Sequence, residues 1–118
     1  MKLHLCSAIV TVILIITSFI SASSQNIGET TFKQVCAACH TIGKGRLVGP
    51  DLANADQRLS EEWIIKFVKS SQSVIQSGDK YADSLFQAYN HAIMPDQPTF
   101  TDDQIKEIIA YIQVNSSA

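Results

Sequence analysis

The clearest pattern of apolar positions lies near the C-terminal end of the chain. Four isoleucines recur there at i, i+3, i+4 and i+7, the spacing of one helix face: Ile105, Ile108, Ile109 and Ile112. Thr101 and Gln104 form a capping box immediately before this face. Phe100 can also pack onto Ile105 as a hydrophobic staple. The pattern therefore predicts an amphipathic C-terminal helix that begins just after Thr101.

Two further helices are predicted from their start signals. Asn26 followed by Glu29 can open a first helix that runs into residues 36–40. Ser60 followed by two glutamates marks a second start, with acidic side chains at the positive end of the helix dipole. Apolar side chains then share one face of this second helix: Trp63, Ile64, Phe67 and Val68.

A third, short helix is predicted over residues 83–90, and long segments without periodicity cover 41–59 and 91–100. No stretch alternates in the manner of a strand, so the predicted class is all-α with three to four helices. Loops of this length are unusual in a small domain unless they serve a function.

The N-terminal pattern is that of an export signal. Lys2 precedes an uncharged apolar run over 8–20, and small residues follow at 21–24. The run is shorter than the roughly 20 residues that a spanning helix needs. We therefore expect residues 1–24 to be a secretory signal peptide, cleaved between Ala22 and Asn26, and residues 25–118 to form the domain. An uncleaved membrane anchor is the alternative.

Composition narrows the functional classes. A chain of 118 residues allows one domain, and a formal net charge of −2 gives no reason to expect nucleic-acid binding. A mature chain this short builds a modest core, and such domains often depend on a disulfide, a metal or a cofactor.

The sharpest motif is the C-A-A-C-H run at residues 36–40. This spacing is typical of c-type haem attachment, because Cys36 and Cys39 can each bond one vinyl group while His40 binds the iron. Three alternatives remain: a thioredoxin-like redox pair, half of a zinc site, and a plain disulfide. The first expects a β-α-β setting and the second expects four ligands, and neither is visible in the sequence.

Met94 is the candidate for the second axial ligand. It is the one methionine after the signal segment, and Pro95 beside it fixes a stiff, non-helical backbone. A methionine more often fills gaps in a core, but the C-x-x-C-H motif favours ligation here. His91, three positions earlier, is the alternative ligand.

These elements, in this order, resemble the class I c-type cytochromes, small soluble proteins with one haem. The resemblance runs from about Gly28 to Ile112 and includes G-P-D-L at 49–52 and M-P at 94–95. It implies the cytochrome c fold, in which helices and long loops wrap one covalently bound haem c. It also implies that the Pro50 carbonyl accepts a hydrogen bond from the ligating His40. Four residues match the crossing of the family's terminal helices: Gly28, Phe32, Ile108 and Tyr111.

The function implied is one-electron transfer in an extracytoplasmic space such as the periplasm, without enzymatic turnover. Redox proteins would be the partners, namely an upstream reductase and a downstream oxidase or reductase, with transient contact with membrane complexes. Two other readings stay open: a haem relay subunit of a larger periplasmic or membrane-bound oxidoreductase complex, and a peroxidase or ligand sensor. A labile sixth ligand would be needed for the last.

Two further features have alternative interpretations. The Trp63 indole could donate to a haem propionate, although a lone helical tryptophan is more often part of the core. The cations that flank the motif could dock an acidic partner, although scattered cations on an acidic domain are more often solvated surface. These cations are Lys33, Lys44 and Arg46.

Overall fold

The computed structural model describes residues 27–116, and within them the chain is helical without strands. Its elements are α1 (residues 27–36, π-helical over Phe32–Cys36), α2 (Ala55–Arg58), α3 (Glu61–Lys69), α4 (Ser71–Gln76), α5 (Lys80–Ala88) and α6 (Asp102–Ser116). The predicted all-α class is confirmed. The signal segment predicted over 1–24 lies outside the described residues. No helix within 27–116 is both long and apolar enough to cross a membrane.

Both caps that the sequence predicts for α3 and α6 are present. At the start of α3, the Ser60 hydroxyl accepts a hydrogen bond from the Trp63 amide at 3.2 Å. At the start of α6, the Thr101 amide donates to Gln104 Oε1 at 2.9 Å, and the Gln104 amide donates to Thr101 Oγ1 at 3.2 Å. Each helix therefore begins where its side chains satisfy the free amides of the first turn.

The third predicted helix is displaced: α5 spans Lys80–Ala88 rather than 83–90. The Asp79 carboxylate accepts from the Ala82 amide at 2.8 Å and so starts the helix three residues earlier than predicted. At the other end, Asn90 and His91 both have positive φ, which takes the chain out of the helix. Because the larger apolar side chains of α5 lie late in the helix, the sequence pattern indicated only its second half.

Two short helices were not predicted. α2 has four residues and α4 has six, and such lengths are unstable without tertiary packing. α4 packs against α3 and α5, and α3 also packs against α6. These contacts convert part of the expected loops into helical turns.

Helices α1 and α6 cross in close contact, and this contact is buried. The backbone of Gly28 lies so close to α6 that a Cβ there would be 2.1 Å from the carbonyl oxygen of Glu107. One turn along, the rings of Phe32 and Tyr111 meet with centroids 5.4 Å apart. Phe32 is buried with Ile108 and Ile112 in one apolar cluster. This is the crossing that the resemblance implies.

We expect Gly28→Ala to destabilise the fold substantially. The added methyl group meets backbone rather than a flexible side chain, so the two helices must separate. Overpacking of this kind costs about 1–3 kcal/mol, and each kcal/mol lowers the melting temperature of a domain this size by about 4–8 °C. Thermal unfolding followed by circular dichroism measures the effect. Gln34→Ala, at an exposed position of α1, is the control and should leave the midpoint nearly unchanged.

Candidate cofactor site

The C-A-A-C-H motif forms a tight turn at the end of α1. The π-helical segment closes with the Ala37 amide donating to the Phe32 carbonyl at 2.9 Å. The amides of Cys39 and His40 then both donate to the Cys36 carbonyl, at 3.1 and 3.0 Å. These bonds bring Cys36, Cys39 and His40 onto one wall of a single cavity.

The rest of this cavity is lined mainly by apolar side chains from α2 to α6 and from the loops between them. Met94 lies in the same lining as the motif, although 54 residues separate it from His40. The principal aliphatic and aromatic lining residues are Leu52, Leu59, Ile64, Phe67, Val68, Leu85, Phe86, Ile93, Phe100, Ile105 and Ile109. Such a lining suits a large apolar ring and excludes water from its centre.

His40 is held by its own loop. Its Nδ1 lies 2.9 Å from the carbonyl oxygen of Pro50, which can only accept a hydrogen bond. Nδ1 therefore carries the proton, and Nε2 is left with a lone pair for a metal ion. The contact is the one that the resemblance implies for Pro50.

Gly49 has a role that the sequence analysis missed. A Cβ at this position would lie 2.5 Å from Cε1 and 2.8 Å from Nδ1 of the His40 ring. A glycine therefore lets the backbone pack flat against the imidazole. Gly49-Pro50 reads as an ordinary turn in the sequence, and the only signal was its place within the G-P-D-L run.

Asp51 organises the loop that carries Gly49 and Pro50. Its carboxylate accepts hydrogen bonds from the amides of Ala53, Gly43 and Gly45 at 2.8, 2.8 and 2.6 Å. These bonds, with Ala53 contributing most, lower the pKa of Asp51 to about 2. Because the pKa falls on folding, the stabilisation is complete above the ordinary value of 3.8 and is lost as pH falls towards 2. At neutral pH, therefore, these hydrogen bonds hold the loop next to His40 in place.

His91 lies away from the candidate ligands. It is exposed, it is not among the lining residues, and its Nε2 is 3.0 Å from Oε1 of Gln87. Its ring also packs edge-on against Phe86, with centroids 4.8 Å apart. The geometry therefore favours Met94 over His91 as the second axial ligand.

Trp63 is engaged within the protein. Its indole N–H donates to Oδ2 of Asp79 at 3.0 Å. Its ring stacks on Phe67 with centroids 4.8 Å apart and meets the edge of Tyr81 at 5.4 Å. The indole donor joins α3 to the cap of α5, so the geometry favours the core interpretation over a contact with a haem propionate.

The other interpretations of the cysteine pair lose support. Burial raises the pKa of the Cys36 thiol to about 11, whereas reactive redox thiols have a lowered pKa. The sulfurs of Cys36 and Cys39 are not joined in a disulfide in this structure. Within residues 27–116, no three His, Cys, Asp or Glu side chains converge as a zinc site would require.

Two of the three cations near the motif have partners within the chain. Lys33 pairs with Glu29 at 2.6 Å on the exposed face of α1. The Arg46 guanidinium lies 4.0 Å from the centroid of the Tyr89 ring. Because both cations have partners within the chain, the structure favours an ordinary surface here over a basic docking patch.

Comparison with known proteins agrees with this site. The cytochrome c family model matches residues 26–116, and the chain belongs to that family. Members carry covalently bound haem c and transfer electrons, and the spacing of Cys36 and Cys39 fits that attachment. No curated protein sequence matches the chain significantly.

Solved structures share the fold. A cytochrome c from Rhodothermus marinus is 24% identical over 81% of this chain and 79% of its own, with a TM-score of 0.69. An engineered form of that cytochrome bound to a carbene intermediate is also 24% identical, over 82% of this chain and 80% of its own, with a TM-score of 0.68. The cytochrome c domain of the pp3183 protein from Pseudomonas putida is 26% identical over 76% of this chain and 88% of its own, with a TM-score of 0.65.

Proposed function

We propose that this protein is an extracytoplasmic one-electron carrier with a single haem c ligated by histidine and methionine. The observation that carries the proposal is the wall formed by residues 36–40, in which His40 Nδ1 is bound to the Pro50 carbonyl at 2.9 Å and Nε2 is left for a metal. The shared cavity with Met94 supports a second ligand from the same chain.

Each residue of the site has a distinct part in this proposal. Cys36 and Cys39 would form thioether bonds, which keep the cofactor attached in a dilute compartment. His40 Nε2 and the Met94 sulfur would fill the two axial positions. Haem c, when bound, supplies a one-electron Fe(III)/Fe(II) couple.

The remaining residues tune that couple and protect it. Pro50 fixes the tautomer and orientation of His40, and Gly49 keeps the imidazole flat against the loop. A neutral thioether and an apolar lining both favour the less charged, reduced state, so they raise the reduction potential. Two protein ligands also leave no open position for oxygen or peroxide, which favours a carrier over an enzyme.

A fixed relay subunit of a larger oxidoreductase complex is the second candidate. Leu47, close to the motif in sequence and outside the cavity lining, exposes 49% of its surface, and an apolar side chain there would be covered in a lasting interface. The partners of either form would be redox proteins, a reductase upstream and an oxidase or reductase downstream. Co-purification from the native cell at endogenous levels separates the two: a carrier elutes alone, whereas a subunit elutes with its complex.

The electron-carrier role is tested by redox titration together with carbon monoxide. The holoprotein should titrate reversibly with the slope of one electron, and its reduced form should not bind carbon monoxide. Ready binding of carbon monoxide by the wild-type protein would indicate a labile sixth ligand and would favour a sensor or peroxidase.

We further propose that the chain is exported and that the signal is removed between Ala22 and Asn26. The support is the order of charge, apolar run and small residues in the first 24 positions. N-terminal sequencing of periplasmic protein should begin within that interval. Recovery of intact residues 1–20 in the membrane fraction would instead establish the anchor.

A further inference from the structure

The loop that carries Met94 is attached to α4 through a fully buried serine. Ser71, the first residue of α4, has no exposed surface, although its side chain is polar. Its hydroxyl donates to the carbonyl oxygen of Met94 at 2.6 Å. A buried hydroxyl is costly unless it is hydrogen-bonded, and the other acceptor near it, Oδ1 of Asp96, lies farther away at 3.4 Å. The Ser71 hydroxyl therefore favours the position of Met94 in which the shorter bond forms.

Asp96 makes a second attachment two residues further along the loop. One carboxylate oxygen accepts from the Ser71 amide at 2.8 Å, and the other accepts from the Ser70 hydroxyl at 2.9 Å. Ser70 is the N-cap residue of α4, but its side chain caps no amide of that helix. Asp96 therefore supplies, from 25 positions away, the acceptor that an N-cap side chain ordinarily supplies.

The chemistry of the loop explains why these attachments are needed. Pro95 has no amide hydrogen, so the residue beside Met94 cannot anchor the loop through a backbone donor. The next backbone anchor is the Gln97 amide, which donates to the Val68 carbonyl of α3 at 3.0 Å. Between these points, Ser71 and Asp96 hold the segment against the junction of α3 and α4.

We propose that Ser71 and Asp96 are positioning residues that hold the Met94 sulfur at the axial position and set how often it leaves. The inference rests on the proposed function in that Met94 is taken as the axial ligand. Because these bonds join one loop to one helix start, they break together when the loop opens. Their loss raises the frequency of loop opening without altering His40 or the cysteines.

The experiment measures imidazole binding to the ferric holoprotein, since imidazole can enter only after the Met94 sulfur leaves. Ser71→Ala leaves the Met94 carbonyl without its donor, and we expect the binding rate to rise about tenfold. Ser77→Ala is the matched control, because the Ser77 hydroxyl donates to the Val74 carbonyl within α4 and does not touch the loop. The control should bind imidazole at the wild-type rate.

A second readout separates positioning from general stability. On heating, Ser71→Ala should lose the near-infrared sulfur-to-iron band well below the temperature at which its helices unfold, measured by far-ultraviolet circular dichroism. A merely structural role would lower both midpoints together. If the gap between the two midpoints and the imidazole rate both equal those of Ser77→Ala, the positioning proposal is wrong.

Asp96 provides a second variant that leaves the buried serine in place, because the substituted side chain is itself exposed. Asp96→Ala removes both acceptors and should also speed imidazole binding, whereas Asp96→Asn keeps one oxygen for the Ser71 amide and should restore most of the wild-type rate. Equal rates in all three proteins would overturn the part assigned to Asp96. A wild-type protein without the sulfur-to-iron band would instead contradict Met94 ligation itself, which distinguishes failure of the proposed function from failure of this inference.

Discussion

Replacing Met94 by alanine should abolish the sulfur-to-iron charge-transfer band and open the reduced iron to carbon monoxide. Met94 is the methionine of the cavity lining, and the methyl group of alanine offers no donor in its place. The reduction potential should fall, because the thioether that favours Fe(II) is lost. Near-infrared spectra of the ferric protein, a redox titration and carbon monoxide binding to the reduced protein measure the three effects.

His91→Ala is the control for this experiment. His91 is exposed and bonded to Gln87, so its loss should leave the band, the potential and the resistance to carbon monoxide unchanged. The opposite result, in which the His91 variant loses its low-spin spectrum while Met94→Ala keeps it, would indicate a bis-histidine cytochrome of lower potential.

Replacing either motif cysteine by alanine should leave little or no holoprotein. Seven apolar side chains are buried within residues 27–116, and each of them except Phe32 also lines the cavity: Phe32, Ala55, Ala82, Ile105, Ile108, Ile109 and Ile112. The other apolar side chains of the lining are less buried, so the bound cofactor would complete the apolar core, as in other small domains that depend on one. Haem-stained gels measure the yield of holoprotein, and far-ultraviolet circular dichroism of the purified variants measures their fold.

Ala38→Ser is the matched control for the cysteine variants. Ala38 lies between the two cysteines, is exposed, and is not among the cavity-lining residues. Its replacement should leave the yield of holoprotein near that of the wild type. A full yield of covalently loaded protein from Cys36→Ala and Cys39→Ala alike would show that attachment uses other residues.

The parts of the fold that could be predicted from sequence are those with local signals. The caps at Ser60 and Thr101 and the isoleucine face of α6 are all encoded within a few residues. The C-A-A-C-H motif is local for the same reason, because two thiols and an imidazole on one turn require adjacent positions. Signals from neighbouring residues were therefore sufficient to predict α3, α6 and one wall of the site.

The remaining features depend on contacts between distant residues. α2 and α4 are too short to form from propensity, and α5 begins at a cap that the apolar pattern does not mark. The bond from Ser71 to Met94 spans 23 positions, and a buried serine looks like any other serine in a sequence. The need for a glycine at position 49 likewise follows only from the close approach of the His40 ring, which the sequence does not show.

The mass of the purified protein after acid–acetone extraction tests the central claim most directly. The extraction removes haem that is held only by ligation and leaves haem that is bonded through thioethers. The account predicts that the protein keeps the mass of one haem, carried on the peptide that contains Cys36 and Cys39. A protein that emerges from the extraction at the mass of the bare chain would contradict it.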